Sequence, residues 1–162
     1  MKTPCSDYAP TKGVIFFARM LDKIRLKDEG SLPKDYNVVG CGVWDCFDAR
    51  FCRFFGVNEG ELIKRTRQGG SDEEILDWCF AKFGQPNEDK IQTWNAFIEK
   101  RGWRDESSDE LEEVKRANGF DGRVDVQTWV DYHDVDEGRT PRVFGLVRAV
   151  GNACHSVGSV AR

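Results

Sequence analysis

The chain is poor in the residues that metal and export chemistry rely on. It has two histidines and no C-x-x-C pair. Among its six cysteines, Cys41, Cys46 and Cys52 follow a C-x4-C-x5-C spacing, whereas structural zinc sites use pairs two to four residues apart. On one helix, Cys46 and Cys52 would project about 240° apart and could not share an ion. No metal and no cofactor is therefore expected. The longest apolar run, Val14–Ala18, is far below the roughly 20 residues that cross a bilayer, so no membrane partner is expected. Met1 to Asp7 lacks the apolar stretch of a secretory leader. Six cysteines without such a leader fit thiols in a reducing compartment, and the expectation is a cytoplasmic protein. Dense basic segments are missing too. Residues 105–137 hold 3 Lys and Arg against 12 Asp and Glu, and the four Arg after 137 are scattered. No stretch could neutralise a series of phosphates, so nucleic acid is not an expected partner.

What the chain does have is bulky apolar material at helical spacing. Eleven Phe and five Trp in 162 residues suffice for the core of one domain. Phe17, Met20, Leu21 and Ile24 recur at i, i+3, i+4, i+7, with Arg19, Asp22, Lys23 and Arg25 elsewhere on the cylinder. Gly30 and Pro33 end that helix, and residues 34–44, with Gly40 and Gly42 around Cys41, read as an irregular loop. A second helix opens at Asp45 or Cys46 and carries Phe47, Phe51, Phe54 and Phe55. A polar third follows over 59–68. Ser71-x-x-Glu74 reads as a capping box before Leu76, Cys79, Phe80 and Phe83, and Asn87 caps a helix with Ile91, Trp94, Phe97 and Ile98 inside. Ser107-x-x-Glu110 reads as a second box, and Asp125 as the cap of a short last helix with Val126, Trp129 and Val130. Gly102–Trp103 and Gly119–Phe120 read as helix stops with an aromatic closing over the last turn. The predicted fold is a compact all-α single domain. Its expected limits are an N-terminal extension over 1–12, a helical domain over 13–139 and an apolar tail over 140–162.

Functional candidates come from polar side chains beside aromatics. Arg101 and Arg104 bracket Gly102–Trp103 with Asp105 next door; they serve either as helix-end pairs or as a fork for a carboxylate or phosphate. Asp22, Lys23 and Arg25 pose the same choice between surface pairs and ligand contacts. Tyr36, Asp48 and Asn95 complete the binding candidates, with Asp22 or Asp48 as a general base. Asp131, Asp134, Asp136 and Glu137 around His133 do not match a calcium loop and read as a solvated charge run. Cys41, between two glycines, is the candidate accessible thiol.

Several of these segments together resemble a family of single-domain bacterial proteins known as a domain of unknown function. They are Phe17 to Arg25, Gly69 to Cys79, Trp94-Asn95 with Lys100-Arg101-Gly102-Trp103-Arg104-Asp105, and Asp136-Glu137-Gly138-Arg139. The resemblance spans about 13–139 and implies a small helical protein, with no activity or catalytic residue to carry over. The expected function is binding, or an unidentified reaction, of a small and anionic ligand. The alternatives are an interaction module using the acidic 105–137 surface and the tail, or a thiol or metal sensor at Cys41 and Cys46.

Overall fold

The computed structural model describes residues 1–140, so the expected tail lies, apart from Thr140, outside the described residues. Among the described residues seven helices follow one another: α1 (Phe17–Asp28), α2 (Phe47–Phe55), α3 (Glu59–Arg67), α4 (Asp72–Phe83), α5 (Glu88–Lys100), α6 (Ser108–Ala117) and α7 (Trp129–Asp136). Among the described residues there is no strand, only an isolated bridge between Thr11 and Val14. No helix among the described residues is long and apolar enough to cross a membrane. The all-α expectation holds for this part of the chain, including the loop between α1 and α2.

The helix starts follow from side chains that take the free N–H groups of the first turn. Asn58 accepts from Glu61 N and Asn87 from Lys90 N. Ser71 and Glu74 form the expected capping box. Two expectations need correction. Ser107 makes no cap hydrogen bond; its hydroxyl receives Trp129 Nε1 and donates to Asp105, which leaves α6 uncapped by a side chain. The last helix starts at Thr128, which with Asp131 forms a capping box, while Asp125 is spent on Arg123.

α1 packs on α3 and α4, and α5 packs on α7. Trp94 sits at the centre of the main core. Its ring meets Phe51 at 5.2 Å, Phe54 at 5.7 Å and Phe55 at 5.8 Å, and its Nε1 donates to Ile15 O. A smaller cluster of Leu111, Val126 and Tyr132 joins α6 to α7. Gly102 stands where that cluster crowds the end of α5. Its φ is +95°, and a Cβ there would lie 2.8 Å from Leu111 Cδ2, so the position needs glycine. Trp103 does not close over the helix end as expected; it is 45% exposed, with Arg104 stacked on it.

Residues 1–12, expected as an extension, contribute buried side chains. Asp7, Tyr8 and Thr11 are inside. This segment is strapped to α7: Ser6 Oγ donates to Asp134 at 2.9 Å, Tyr8 Oη to Asp131 at 2.9 Å, and Arg139 Nη1 to Pro4 O. The acidic run 131–137 is therefore not the solvated surface its composition suggests. Asp131 and Asp134 are buried, and the Glu137 side chain is 3% exposed. Each carboxylate is retained inside because a donor meets it.

Candidate functional site

This network borders a cleft of about 420 Å³, which it reaches through Glu137. α1 supplies Arg19 and Lys23, one turn apart, both buried. The α1–α2 loop and the start of α2 supply Tyr36, Cys46, Phe47 and Asp48 on one side. Across from them stand Arg101 and the α7 face with Trp129, Tyr132 and His133.

At the floor, His133 Nδ1 lies 3.2 Å from both carboxylate oxygens of Asp7. Asp7 is fully buried, which by itself would disfavour its charge. His133 and Arg19 outweigh that cost and hold the carboxyl below the usual carboxylate range. A permanent anion at Nδ1 fixes the ring, and a neutral imidazole so held keeps its proton on Nδ1 and a lone pair on Nε2. The His133 ring is wedged among Phe47 at 6.0 Å, Tyr132 at 6.1 Å and Trp129 at 6.3 Å, with its side chain 28% exposed. Nε2 has no hydrogen-bond partner among the described residues and is free to meet a bound molecule.

The cations of the walls are already engaged. Arg19 forks onto Glu137 through Nη1 and Nη2 and has Nε 3.5 Å from Asp7. Lys23 pairs with Asp48. Arg101 Nη1 reaches Asp105 at 3.2 Å and Glu106 at 2.6 Å. Tyr36 Oη donates to Glu137 at 2.6 Å; burial pushes its phenol up, and Asp136 and Asp35 add to this against Arg19.

One backbone feature belongs to the same place. Phe16, whose ring lines the cleft, has φ +72°, a left-handed conformation that is costly for a bulky side chain. It is held there by its N–H on Asp7 O at 2.8 Å and by Asn95, whose amide donates to Gly13 O and accepts from Ile15 N. The same Asp7 thus fixes Phe16 through its backbone and His133 through its side chain.

Of the sequence candidates, Lys23, Tyr36, Asp48 and Arg101 line the cleft. The others lie off it. Asp22 accepts from Cys5 N and lies 3.6 Å from Arg25, which pairs with Asp72. Asn95 clamps the backbone before α1. Asp105 accepts from Gly102 N and Ser107 N, closing the turn between α5 and α6. Arg104 is exposed. Cys41 is exposed, with its Sγ 3.9 Å from that of Cys46, and burial pushes the Cys46 thiol up to about 11. No group of three or more metal-ligating side chains is found among the described residues.

Asp7, Arg19, His133 and Glu137 were not among the candidates. Arg19 and Glu137 do fall in two of the segments that carry the family resemblance, and the fold brings those segments together. His133, one of only two histidines, stood in a run that composition alone marks as surface. No local signal singles out Asp7.

No curated protein matches the chain. One family model does, over residues 1–139, which includes the buried N-terminal segment. The chain belongs to the family described as Domain of unknown function (DUF5069).

Proposed function

We propose that the cleft binds a small organic molecule and that His133, oriented by Asp7, exchanges a proton with it. The Asp7–His133 pair carries this reading. A buried carboxylate behind an imidazole that borders a cavity is the arrangement in which histidine serves as a general base or acid. The surroundings fit. A space of about 420 Å³ lies within the range of small-molecule sites, and its lining sets the aromatic residues Phe16, Phe47, Trp129 and Tyr132 among many polar and charged ones. The backbone strain at Phe16 sits beside the same pair, and strain of this kind concentrates where a site must be preorganised. Lys23 and Asp48 form a second polar pair across the cleft, able to receive and return a hydrogen bond as charge shifts on the ligand.

The test is a metabolite-library screen by thermal shift on the full chain, followed by amide chemical-shift mapping and turnover assays on the hits. A ligand present at a hundred times its Kd stabilises by about 2.7 kcal/mol, which such a screen detects. Hits are expected to move the resonances of residues 129–137 and of the α1–α2 loop. Any that are consumed should be turned over about 100-fold or more slowly by His133→Ala. Hits that map elsewhere on the surface, or turnover indifferent to His133→Ala, overturn the proposal.

A further inference from the structure

We propose that the cleft selects an organic cation, an amine or guanidine carried on an apolar body. The inference rests on the reading of the cleft as a ligand site and adds the ligand's charge. The sequence, with Arg101, Arg104 and Lys23 in view, favours an anion. The placement of charge argues the other way. Arg19, Lys23 and Arg101 are buried in the wall, each engaged by carboxylates. Capturing an anion at Arg19 or Lys23 would require disturbing a buried ion pair with Glu137 or Asp48, a costly exchange, while Arg101 is already shared by Asp105 and the exposed Glu106. The acids at the cleft are differently disposed. Asp35, Glu110 and Asp136 stand exposed among its lining residues, with no ion pair and no hydrogen bond among the described residues. An arriving anion meets their field before it meets any cation, while a cation is drawn in.

Two further observations inside the cleft point to the same class. Phe16, Tyr36, Phe47, Trp129 and Tyr132 are among the lining residues, and aromatic faces attract cations through their quadrupoles. The protein already uses this contact on its own side chains: Lys23 Nζ sits 5.2 Å from the Phe16 ring centre and the Arg19 guanidinium 5.8 Å from that of Tyr36. Asp48, 1% exposed and lining the cleft, gives one carboxylate oxygen to Lys23, and its Oδ1 has no hydrogen-bond partner. A buried acceptor lacking a donor favours a ligand that brings an N–H.

The experiment is an amide chemical-shift titration of the full chain with four probes at millimolar concentration: choline, agmatine, inorganic phosphate and 3,3-dimethylbutanol, the neutral carbon counterpart of choline. Choline or agmatine is expected to move resonances of Tyr36, Trp129 and Tyr132, with the neutral alcohol about tenfold weaker or more and phosphate without effect there. Asp35→Asn combined with Asp136→Asn should weaken the cation about tenfold with an unchanged Tm, since both side chains are exposed. Cleft shifts from phosphate or the alcohol that equal or exceed those from the cations overturn the cation class and leave the cleft itself supported as a ligand site. Silence from all four also overturns the cation class, and the library screen above then decides alone about the cleft. Cation shifts confined to residues outside the cleft overturn it as well.

Discussion

The pairing of Asp7 with His133 can be weighed by a double-mutant cycle. In Asp7→Ala the carboxylate is lost from a fully buried position, where it meets His133 Nδ1 at 3.2 Å and Arg19 Nε at 3.5 Å. Arg19 keeps its two bonds to Glu137, so no guanidinium is orphaned, and the cost should fall at the low end of that for a broken buried ion pair, about 3 kcal/mol. In His133→Ala, Asp7 keeps Arg19 but loses its nearer partner, a cost of about 2 kcal/mol for an underused buried acceptor. If the two side chains act through each other, the double variant should lose about 3.5 kcal/mol, a coupling of roughly 1.5 kcal/mol. Urea unfolding followed by tryptophan fluorescence gives all four stabilities, and Asp7→Ala alone should lower Tm by about 10 °C. Additivity within about 0.5 kcal/mol would mean that the carboxylate and the imidazole do not sense each other, and the orientation of His133 would need another cause. A nitrogen-15 spectrum of the imidazole supplies an independent reading: neutral His133 should carry its proton on Nδ1 in the native chain and lose that preference in Asp7→Ala.

Three further outcomes are expected. Gly102→Ala should cost about 1–3 kcal/mol in thermal or urea unfolding, because its Cβ would lie 2.8 Å from Leu111 Cδ2 at a φ of +95°; a change below about 0.5 kcal/mol would show that the α5–α6 turn yields without strain. Among the cysteines of the described residues, native alkylation should label Cys41 first and leave Cys52 and Cys79 unlabelled, since both are buried and their thiols are pushed up, that of Cys79 to about 12. Under glutathione disulfide the 3.9 Å pair Cys41 and Cys46 should lose two hydrogens to the oxidant, which leaves as two thiols, and mass mapping that finds any other pairing would refute the placement of that loop. In acid, Asp7 should govern part of the unfolding. Its folded carboxyl titrates below the ordinary value of 3.8, so its stabilisation is complete above that pH and is lost as pH falls through the lower, folded value. Asp7→Asn should flatten the acid limb of stability against pH, and an unchanged limb would refute the assignment.

The helices were legible because their signals are local. Ser71 with Glu74, and the spacing of Phe17, Met20, Leu21 and Ile24, say within one or two turns where a helix begins and which side it buries. The site was only half legible, because its polar groups are held across large separations. Lys23, Tyr36, Asp48 and Arg101 could be picked out as long or acidic groups near aromatics, but Arg101 and Arg104, neighbours in sequence, end on opposite sides of the burial boundary. The left-handed φ of Gly102, directly after Arg101, precedes the exposed Trp103 and Arg104. Composition misled most at 131–137. A run of four acids within seven residues normally means solvent, and here Asp131, Asp134 and Glu137 are buried because Tyr8, Thr128, Ser6, Arg139, Arg19 and Tyr36 donate to them. Apart from Thr128 and Arg139, which flank the run, those donors come from three distant stretches of chain, and no short window of sequence contains them together.

That origin has a consequence for how the site is built. The main core, centred on Trp94, draws on α1 to α5, the loops on either side of α1 and Val130 of α7, and none of its rings belongs to Asp7 or Glu137. The ionic group beside the cleft, in contrast, forms only when residues 5–7 and Glu137, 118 residues away, both reach Arg19 on α1. Arg19 is the joint. Left alone on α1 it would be a buried guanidinium at a cost no core would tolerate, and it is tolerated because Cys5 O, Asp7 and Glu137 converge on it. The same convergence places His133 over Asp7 and bends Phe16 into its left-handed turn. Packing alone would be served as well by a leucine at position 19. A buried ionic cluster with a histidine, a strained backbone and an open cleft at one point is harder to explain as packing than as a site whose geometry had to be fixed.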